Sequence, residues 1–111
     1  MRPQGQKYLF DILRAIELIE GFLADTANFS AYQLDFKTQS AVERQPGIVG
    51  EAVNHLRRVE PEAELPNTKQ MVDFRNRLIH SYDNINHAIV WAIVTNHLPV
   101  LKADVQRRLA G

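Results

Sequence analysis

Residues 9–23 have the sequence LFDILRAIELIEGFL, in which apolar side chains recur every three or four positions. An α-helix has about 3.6 residues per turn, so these steps place the apolar side chains along one face. The residues on that face are Leu9, Ile12, Leu13, Ile16, Ile19 and Leu23. The pattern predicts an amphipathic helix over roughly residues 6–25 that packs against a core along one side.

Similar patterns predict helices in the rest of the chain. Ser30 is expected to cap a short helical turn over about 31–34. A longer helix is expected over roughly 36–58, and Asn67 or Thr68 is expected to cap the next one. An apolar helix over about 86–97 and a final helix that begins at Pro99 follow. No segment alternates between apolar and polar residues, so the sequence predicts an all-α protein, a four- to five-helix up-and-down bundle, with residues 1–111 as a single domain.

Two interpretations compete at Pro46-Gly47, inside the segment 36–58. A Pro-Gly pair usually marks a turn, but a proline can also kink a helix that continues beyond it. The apolar spacing resumes in nearly the same phase at Ile48 and Val49. The sequence therefore favours a kinked helix.

The composition excludes several classes of protein and site. The chain has 111 residues, a formal net charge of zero and no cysteine. Disulfides, thiolate nucleophiles and Cys-ligated zinc are therefore excluded. Without a net charge there is no long-range attraction to nucleic acid, so RNA binding would have to come from a local patch of cations. No metal ion or cofactor is expected, because the histidines lack the spacing of a helical metal motif.

The charge pattern also predicts a soluble cytoplasmic protein that does not associate with membranes. Charged residues such as Asp11 and Arg14 interrupt the apolar stretch near the N-terminus, unlike the apolar centre of a secretory signal. The longest purely apolar run, residues 88–94, is far shorter than the roughly 20 residues that span a bilayer.

Residues 75–82, RNRLIHSY, combine an arginine, a histidine and a tyrosine within little more than two helical turns. His80 can exchange a proton near neutral pH, and Arg75 offers a permanent charge with a planar set of donors for phosphate oxygens. These residue types suit metal-free cleavage of a phosphodiester. They also suit an ordinary surface arginine and a histidine at a helix C-terminus, and residue types alone favour that simpler interpretation.

Helical geometry constrains how these side chains could act together. His80 lies near the direction of Asn76 and Asp73, which are expected to orient its imidazole. Arg75 is about 140° away from His80 around the helix axis. One unbroken helix would not direct both at the same atom, so either the helix ends near His80 or two copies of the segment meet. A two-fold homodimer satisfies this requirement and is the state that we expect.

The motif resembles that of the HepT-like toxins of the HEPN superfamily, Arg-x-x-x-x-His-x-Tyr. Arg75, His80 and Tyr82 occupy its three fixed positions, and Asn76 matches the asparagine that commonly follows the arginine. The resemblance continues through residues 41–44, 50–52, 89–91 and 98–99, so it covers most of the chain.

The resemblance implies a small helical homodimer that acts as a metal-independent endoribonuclease toxin. In this interpretation His80 removes a proton from a ribose 2′-hydroxyl, and Arg75, helped by Arg77, stabilises the phosphorane. Its partner would be a minimal nucleotidyltransferase (MNT) antitoxin, which in some pairs transfers AMP onto the motif tyrosine, here Tyr82. Alternatives are a catalytically inactive helical protein that binds the nucleotidyltransferase and accepts AMP, and a plain dimeric interaction module.

Glu51 is a further candidate, because it falls on the apolar side of its predicted helix. It could pair with an arginine of the motif and hold it in place, or it could be an ordinary carboxylate at the edge of the core. The sequence leaves these two interpretations equal.

Overall fold

Seven α-helices and one π-helical segment make up the regular structure of residues 1–65, 68–80 and 85–111, the residues that this computed structural model describes. At residues 78–80 the helical backbone alone is described. The α-helices are α1 (Pro3–Phe22), α2 (Phe29–Leu34), α3 (Phe36–Val42), α4 (Gln45–Val59), α5 (Lys69–His80), α6 (His87–Ala92) and α7 (Leu98–Ala110). The π-helical segment, Ile93–His97, joins α6 to α7. No residue in these ranges forms a strand, and the predicted all-α class is confirmed.

Neighbouring long helices run in opposite directions. The start of α1 meets the end of α4, where the backbone N–H of Arg2 donates to Glu60 Oε1 at 2.8 Å. The end of α1 meets the start of α7, where Lys102 Nζ donates to Glu20 Oε1 at 2.8 Å. Helix α5 follows α4 after a loop and packs back along it. These contacts give the up-and-down arrangement that the apolar patterns predict.

The apolar faces of the described helices meet in one core. The predicted stripe of α1 supplies Leu9, Ile12, Ile16 and Ile19, each at most 1% exposed, and Leu13 and Leu23 pack at its edge. The later helices add further buried side chains: Tyr32, Val42, Val49, Leu56, Met71, Val90, Leu101 and Val105. Each large aliphatic side chain buried in this way stabilises the fold by roughly 1.5–3 kcal/mol. Among the described helices, none combines the length and the apolar character needed to cross a bilayer.

The short helix α2 begins earlier than the sequence predicts. Asn28, not Ser30, is its N-cap, and Asn28 Oδ1 accepts a hydrogen bond from the backbone N–H of Ala31 at 2.9 Å. Asn28 has the extended backbone of an N-cap residue (φ −159°, ψ 176°), and the helix begins at Phe29. Ser30 therefore lies inside the first turn and cannot be the cap. Before α5, Thr68 directly precedes the first helical residue, whereas the other predicted cap, Asn67, lies outside the described residues.

The predicted kink at Pro46-Gly47 is displaced towards the N-terminus. The segment forms two helices, α3 and α4, and the interruption falls at Glu43 and Arg44. Both residues keep right-handed helical dihedral angles, so the chain changes helix without a reversing turn. Pro46 has no N–H to donate to the carbonyl of Val42, so the α3 ladder ends before it. Pro46 lies in the first turn of α4, where a backbone N–H has no acceptor within the helix, so α4 loses no hydrogen bond there.

Pro99 also interrupts the pattern of backbone hydrogen bonds in a helix. The sequence predicts two separate helices there, but the backbone stays helical from α6 through the π segment into α7. Pro99 cannot donate to the carbonyl of Thr95, and the wider π turn accommodates this break in the ladder. The hydroxyl of Thr95 donates to the Trp91 carbonyl at 2.8 Å. The predicted start of the last helix, at Pro99, is correct to within one residue.

Gly50 allows α4 and α5 to approach closely. A Cβ atom at this position would lie 2.5 Å from the carbonyl oxygen of Met71 and 2.8 Å from Cβ of Arg75. Real Cβ atoms do not come so near to a backbone oxygen. The absence of a side chain at Gly50 therefore sets the distance between the two helices that carry the candidate site.

We predict that Gly50→Ala destabilises the protein by about 1–3 kcal/mol, because α5 must shift as a unit to relieve the clash with Met71. Urea denaturation followed by circular dichroism measures the effect. Gly21→Ala on α1 is the matched control, since nothing lies within 4 Å of a Cβ added there. That substitution should stabilise the helix by up to about 1 kcal/mol. Equal midpoints for Gly50→Ala and the parent would contradict the proposed constraint.

Candidate active site

Helix α5 presents the predicted site residues on two opposite faces. Asp73 and Arg77 are each two residues from Arg75, which is roughly 200° around the helix axis. Together with Ile89 and Ile93 they line a cavity of about 150 Å³ between α5 and the α6–π segment. Arg75 faces α4 instead. The structure therefore brings Glu51 to Arg75 and leaves Asp73 and Arg77 on the far side of the helix.

Arg75 is held by a carboxylate from α4. Its Nε donates to Glu51 Oε2 at 2.7 Å, the short distance of a charge-assisted hydrogen bond. Of the two interpretations of Glu51 that the sequence leaves equal, the ion pair with a motif arginine is the contact present. The Arg75 side chain is 29% exposed, so the pair lies at the edge of the core and within reach of solvent.

Asn76 contacts Arg75 as well. Nη1 of Arg75 donates to Asn76 Oδ1 at 3.2 Å. A guanidinium carries five N–H donors, and the contacts with Glu51 and Asn76 engage two of them. The remaining donors can bind the oxygens of a phosphate or another anion. In the described contacts Asn76 serves the arginine, whereas the sequence predicts that it orients His80.

The second oxygen of Glu51 contacts a histidine one turn later on the same helix. His55 Nε2 lies 3.2 Å from Glu51 Oε1. The imidazole ring stacks on Tyr8 of α1, with ring centroids 5.2 Å apart and an interplanar angle of 18°. Arg75 of α5, Glu51 and His55 of α4, and Tyr8 of α1 therefore form a continuous chain of contacts across three helices.

This chain of contacts borders an open groove between α1 and α4. The groove has a volume of about 540 Å³, and Tyr8, Glu51 and His55 are among its lining residues. Lys7 and Arg14 of α1 line the same groove and add cationic groups. A ligand that occupies the groove would lie against the residues that hold Arg75.

Sequence reasoning missed His55 and Tyr8 as parts of this site. His55 is one of the histidines whose spacing does not indicate a metal site, and the sequence assigns it no other role. The available signal was its spacing of four residues from Glu51, which places the two side chains on one face of a helix. Tyr8 carries no comparable signal, because its contact with His55 depends on how α1 packs against α4.

Two predicted site groups lie outside what the structure describes. His80 is the last residue of α5, but its side chain is among those not described, and Tyr82 lies outside the described residues altogether. Their predicted roles stay predictions. In the part of the chain that is described, no three His, Cys, Asp or Glu side chains lie close enough together to hold a metal ion.

The ion pair shifts the acid–base equilibrium of Glu51. The hydrogen bond from Arg75 lowers the pKa of Glu51 below its ordinary value, and the positive charge of Arg75 adds to this while desolvation opposes it. A folded-state pKa below the unfolded value means that the pair stabilises the fold at pH values above the ordinary carboxyl range. That stabilisation is lost as the pH falls through the lowered pKa. It is modest, because the Glu51 side chain is 45% exposed and water screens the pair.

We predict that Arg75→Gln raises the pKa of Glu51 towards its ordinary value, because the main cause of the lowering is removed. The measurement is the pH titration of the Glu51 carboxyl ¹³C resonance. Arg77→Gln is the matched control, since Arg77 lies on the opposite face of α5, and it should leave the midpoint unchanged. A Glu51 midpoint that is the same in Arg75→Gln and the parent would show that the ion pair does not persist in solution.

Comparison with known proteins gives the family. A family model described as "Ribonuclease HepT-like" matches residues 12–108. "Probable ribonuclease HepT" from Thermococcus cleftensis is 35% identical over 96% of this chain and 97% of its own length. A "Putative RNase" of Methanocaldococcus jannaschii is 38% identical over 83% of the chain and 76% of its own length. No solved structure matches the chain significantly. The family match spans nearly all of the helical core and includes the ion-paired Arg75, and the chain belongs to the HepT-like ribonuclease family.

Proposed function

We propose that this chain is a metal-independent endoribonuclease toxin of the cytoplasm, neutralised by a nucleotidyltransferase antitoxin. The observation that carries the proposal is the arrangement of Arg75. Its Nε is fixed by Glu51 at a partly exposed edge of the core, and contacts with described residues engage two of its five N–H donors. The names of the relatives, which are a probable and a putative ribonuclease, support RNA as the substrate.

The proposed reaction begins at the ribose 2′-hydroxyl. His80 removes its proton, and the 2′-oxygen attacks the adjacent phosphorus. Negative charge then gathers on the phosphorane oxygens, where the terminal N–H donors of Arg75 stabilise it. The bond to the 5′-oxygen breaks, and that oxygen takes up a proton as it leaves. The products are a 2′,3′-cyclic phosphate and a 5′-hydroxyl, so no water is consumed in this step.

The two groups need a second copy of the chain to act on one phosphate. Arg75 and His80 are five residues apart on α5, which separates them by about 140° around the axis. We propose a two-fold homodimer in which Arg75 of one subunit and His80 of its partner share a cleft. Asn76 then orients Arg75 through its Oδ1 contact, and Arg77, on another face of α5, supplies a further cation for the RNA backbone.

We predict that His80→Ala abolishes cleavage of a fluorescently labelled RNA oligonucleotide in excess chelator. Positioned acid–base catalysis contributes about 10²–10⁴-fold, so little activity should remain. His87→Ala is the matched control, because it removes a histidine from α6 instead, and it should cleave like the parent. Circular dichroism establishes that both variants are folded. Cleavage by His80→Ala at the parental rate would refute the assignment.

A mixing experiment extends this test to the dimer. Arg75→Ala and His80→Ala are each expected to be inactive alone. A heterodimer of the two, formed by refolding them together, contains one intact pair if the site is shared between subunits. Recovered cleavage therefore supports the shared cleft. An inactive mixture whose mass is dimeric would place both groups within one subunit, and a monomeric mass would refute the dimer.

We also propose that Tyr82 is the residue through which the antitoxin silences the site. It is seven residues from Arg75 in sequence, a spacing that returns to the Arg75 face wherever a helix continues, and there an AMP on its hydroxyl would place a phosphate near the arginine. Incubation with ATP and the cognate nucleotidyltransferase should add one adenylyl mass and stop cleavage. Tyr82→Phe should show neither change. Modification that persists in Tyr82→Phe would assign the acceptor to another residue.

A further inference from the structure

Glu51 divides its two carboxylate oxygens between two helices. Oε2 accepts from Nε of Arg75 on α5 at 2.7 Å, and Oε1 lies 3.2 Å from Nε2 of His55 on α4. A carboxylate held at one oxygen can rotate about its terminal bond, whereas contacts at both oxygens fix its plane. The orientation of the Arg75 guanidinium therefore depends on the group at the other end of the carboxylate.

The surroundings of His55 determine which of its nitrogens carries the proton. Nη1 of Arg58 lies 3.5 Å from His55 Nδ1, at the long limit of a hydrogen bond. A guanidinium can only donate, so Nδ1 acts as the acceptor in this contact and Nε2 carries the hydrogen. The hydrogen on Nε2 then lies on the side of Glu51, whose Oε1 is 3.2 Å from Nε2. The tautomer in which Nδ1 accepts from Arg58 is therefore also the one that has its hydrogen on Nε2, the nitrogen that contacts Glu51.

His55 is itself fixed by packing. Its ring stacks against Tyr8 at a centroid distance of 5.2 Å, and its side chain is 36% exposed. The ammonium group of Lys7 lies over the Tyr8 ring, with Nζ 5.1 Å from the ring centroid. The stack limits rotation of the imidazole, so Nε2 stays directed at the Glu51 carboxylate.

We propose that His55 is a positioning residue for Arg75, acting through Glu51, and that the Tyr8 ring in turn orients His55. The proposal rests on the function proposed above insofar as it concerns catalysis. His55 does not touch the reacting phosphate in this scheme. It holds the carboxylate that fixes Nε of the arginine, and so it directs the terminal nitrogens of Arg75 towards the anion.

The kinetic test compares two substitutions of the same residue. His55→Leu removes the polar contact with Glu51, whereas His55→Gln keeps an N–H group that can contact Oε1. With the labelled RNA oligonucleotide as the probe, kcat of His55→Leu should fall about tenfold with KM little changed, because an interaction with the transition state is weakened. His55→Gln should retain kcat to within about threefold. Equal losses in both variants, or a loss confined to KM, would overturn the proposal.

Two matched controls separate positioning from general loss of stability. His87→Leu breaks another histidine–carboxylate contact, between His87 and Glu43, with a similarly exposed ring. Glu20→Gln breaks a carboxylate–cation pair whose exposure resembles that of Glu51. Both should keep the parental kcat. A tenfold loss in either control would assign the effect of His55→Leu to destabilisation of the fold.

A second measurement does not depend on RNA cleavage. The Nε–H resonance of Arg75 in a ¹⁵N-labelled sample reports directly on its bond to Glu51. In His55→Leu this resonance should move towards that of an unpaired arginine and exchange faster with water, while in His55→Gln it should stay near the parental position. An unchanged resonance in His55→Leu overturns the proposal.

The two measurements also distinguish failure of the inference from failure of the proposed function. If the parent protein does not cleave RNA, the proposed function is refuted, and the Arg75 resonance alone decides whether His55 positions the arginine. If the parent cleaves and the resonance moves but kcat does not, Arg75 is positioned by His55 but its orientation does not limit catalysis. The catalytic part of the inference would then be wrong.

Discussion

The candidate site depends on the close approach of α4 and α5 at Gly50. With no side chain at that position, the backbone of Met71 and the Cβ of Arg75 come into direct contact with α4. Glu51 follows Gly50 by about 100° around the helix, which takes it from the centre of the contact to its edge. There it reaches Arg75 Nε at 2.7 Å while both side chains remain partly exposed. The packing beneath is close, but the polar groups stay accessible to solvent.

Most of the helical architecture can be predicted from the sequence because the signal is local. The apolar stripe of α1 is enough to identify Leu9, Ile12, Ile16 and Ile19 as core residues, and they are buried. Errors arise where a proline allows several backbone solutions. At Pro46 the helix breaks two to three residues earlier than expected, and beyond residue 92 the chain continues through a π segment. Residue propensities do not select among these solutions, since all of them accommodate the missing N–H.

The candidate site is less predictable, because its contacts join residues far apart in sequence. Arg75 is identifiable from the motif, but its contact with Glu51 spans 24 residues and requires the packing of α4 on α5. His55 illustrates the same limit. Its spacing from Glu51 is visible in the sequence, but its importance appears only once Glu51 is known to hold Arg75. Asp73 lines the cavity on the face of α5 away from Arg75, and its predicted role in orienting His80 stays a prediction, because the His80 side chain lies outside the described part of the chain.

A neutral protein can stabilise a phosphorane without binding RNA strongly. Under the proposed function, ionised Glu51 offsets much of the charge of Arg75, and the pair attracts a ground-state phosphodiester only weakly. The phosphorane carries about one more negative charge than the phosphodiester, and it gains more from N–H donors that are already oriented. Stabilising the transition state more than the substrate is the condition for raising kcat. A carboxylate that reduces the net charge of the arginine while fixing its direction satisfies this condition, and the overall charge of zero is compatible with it.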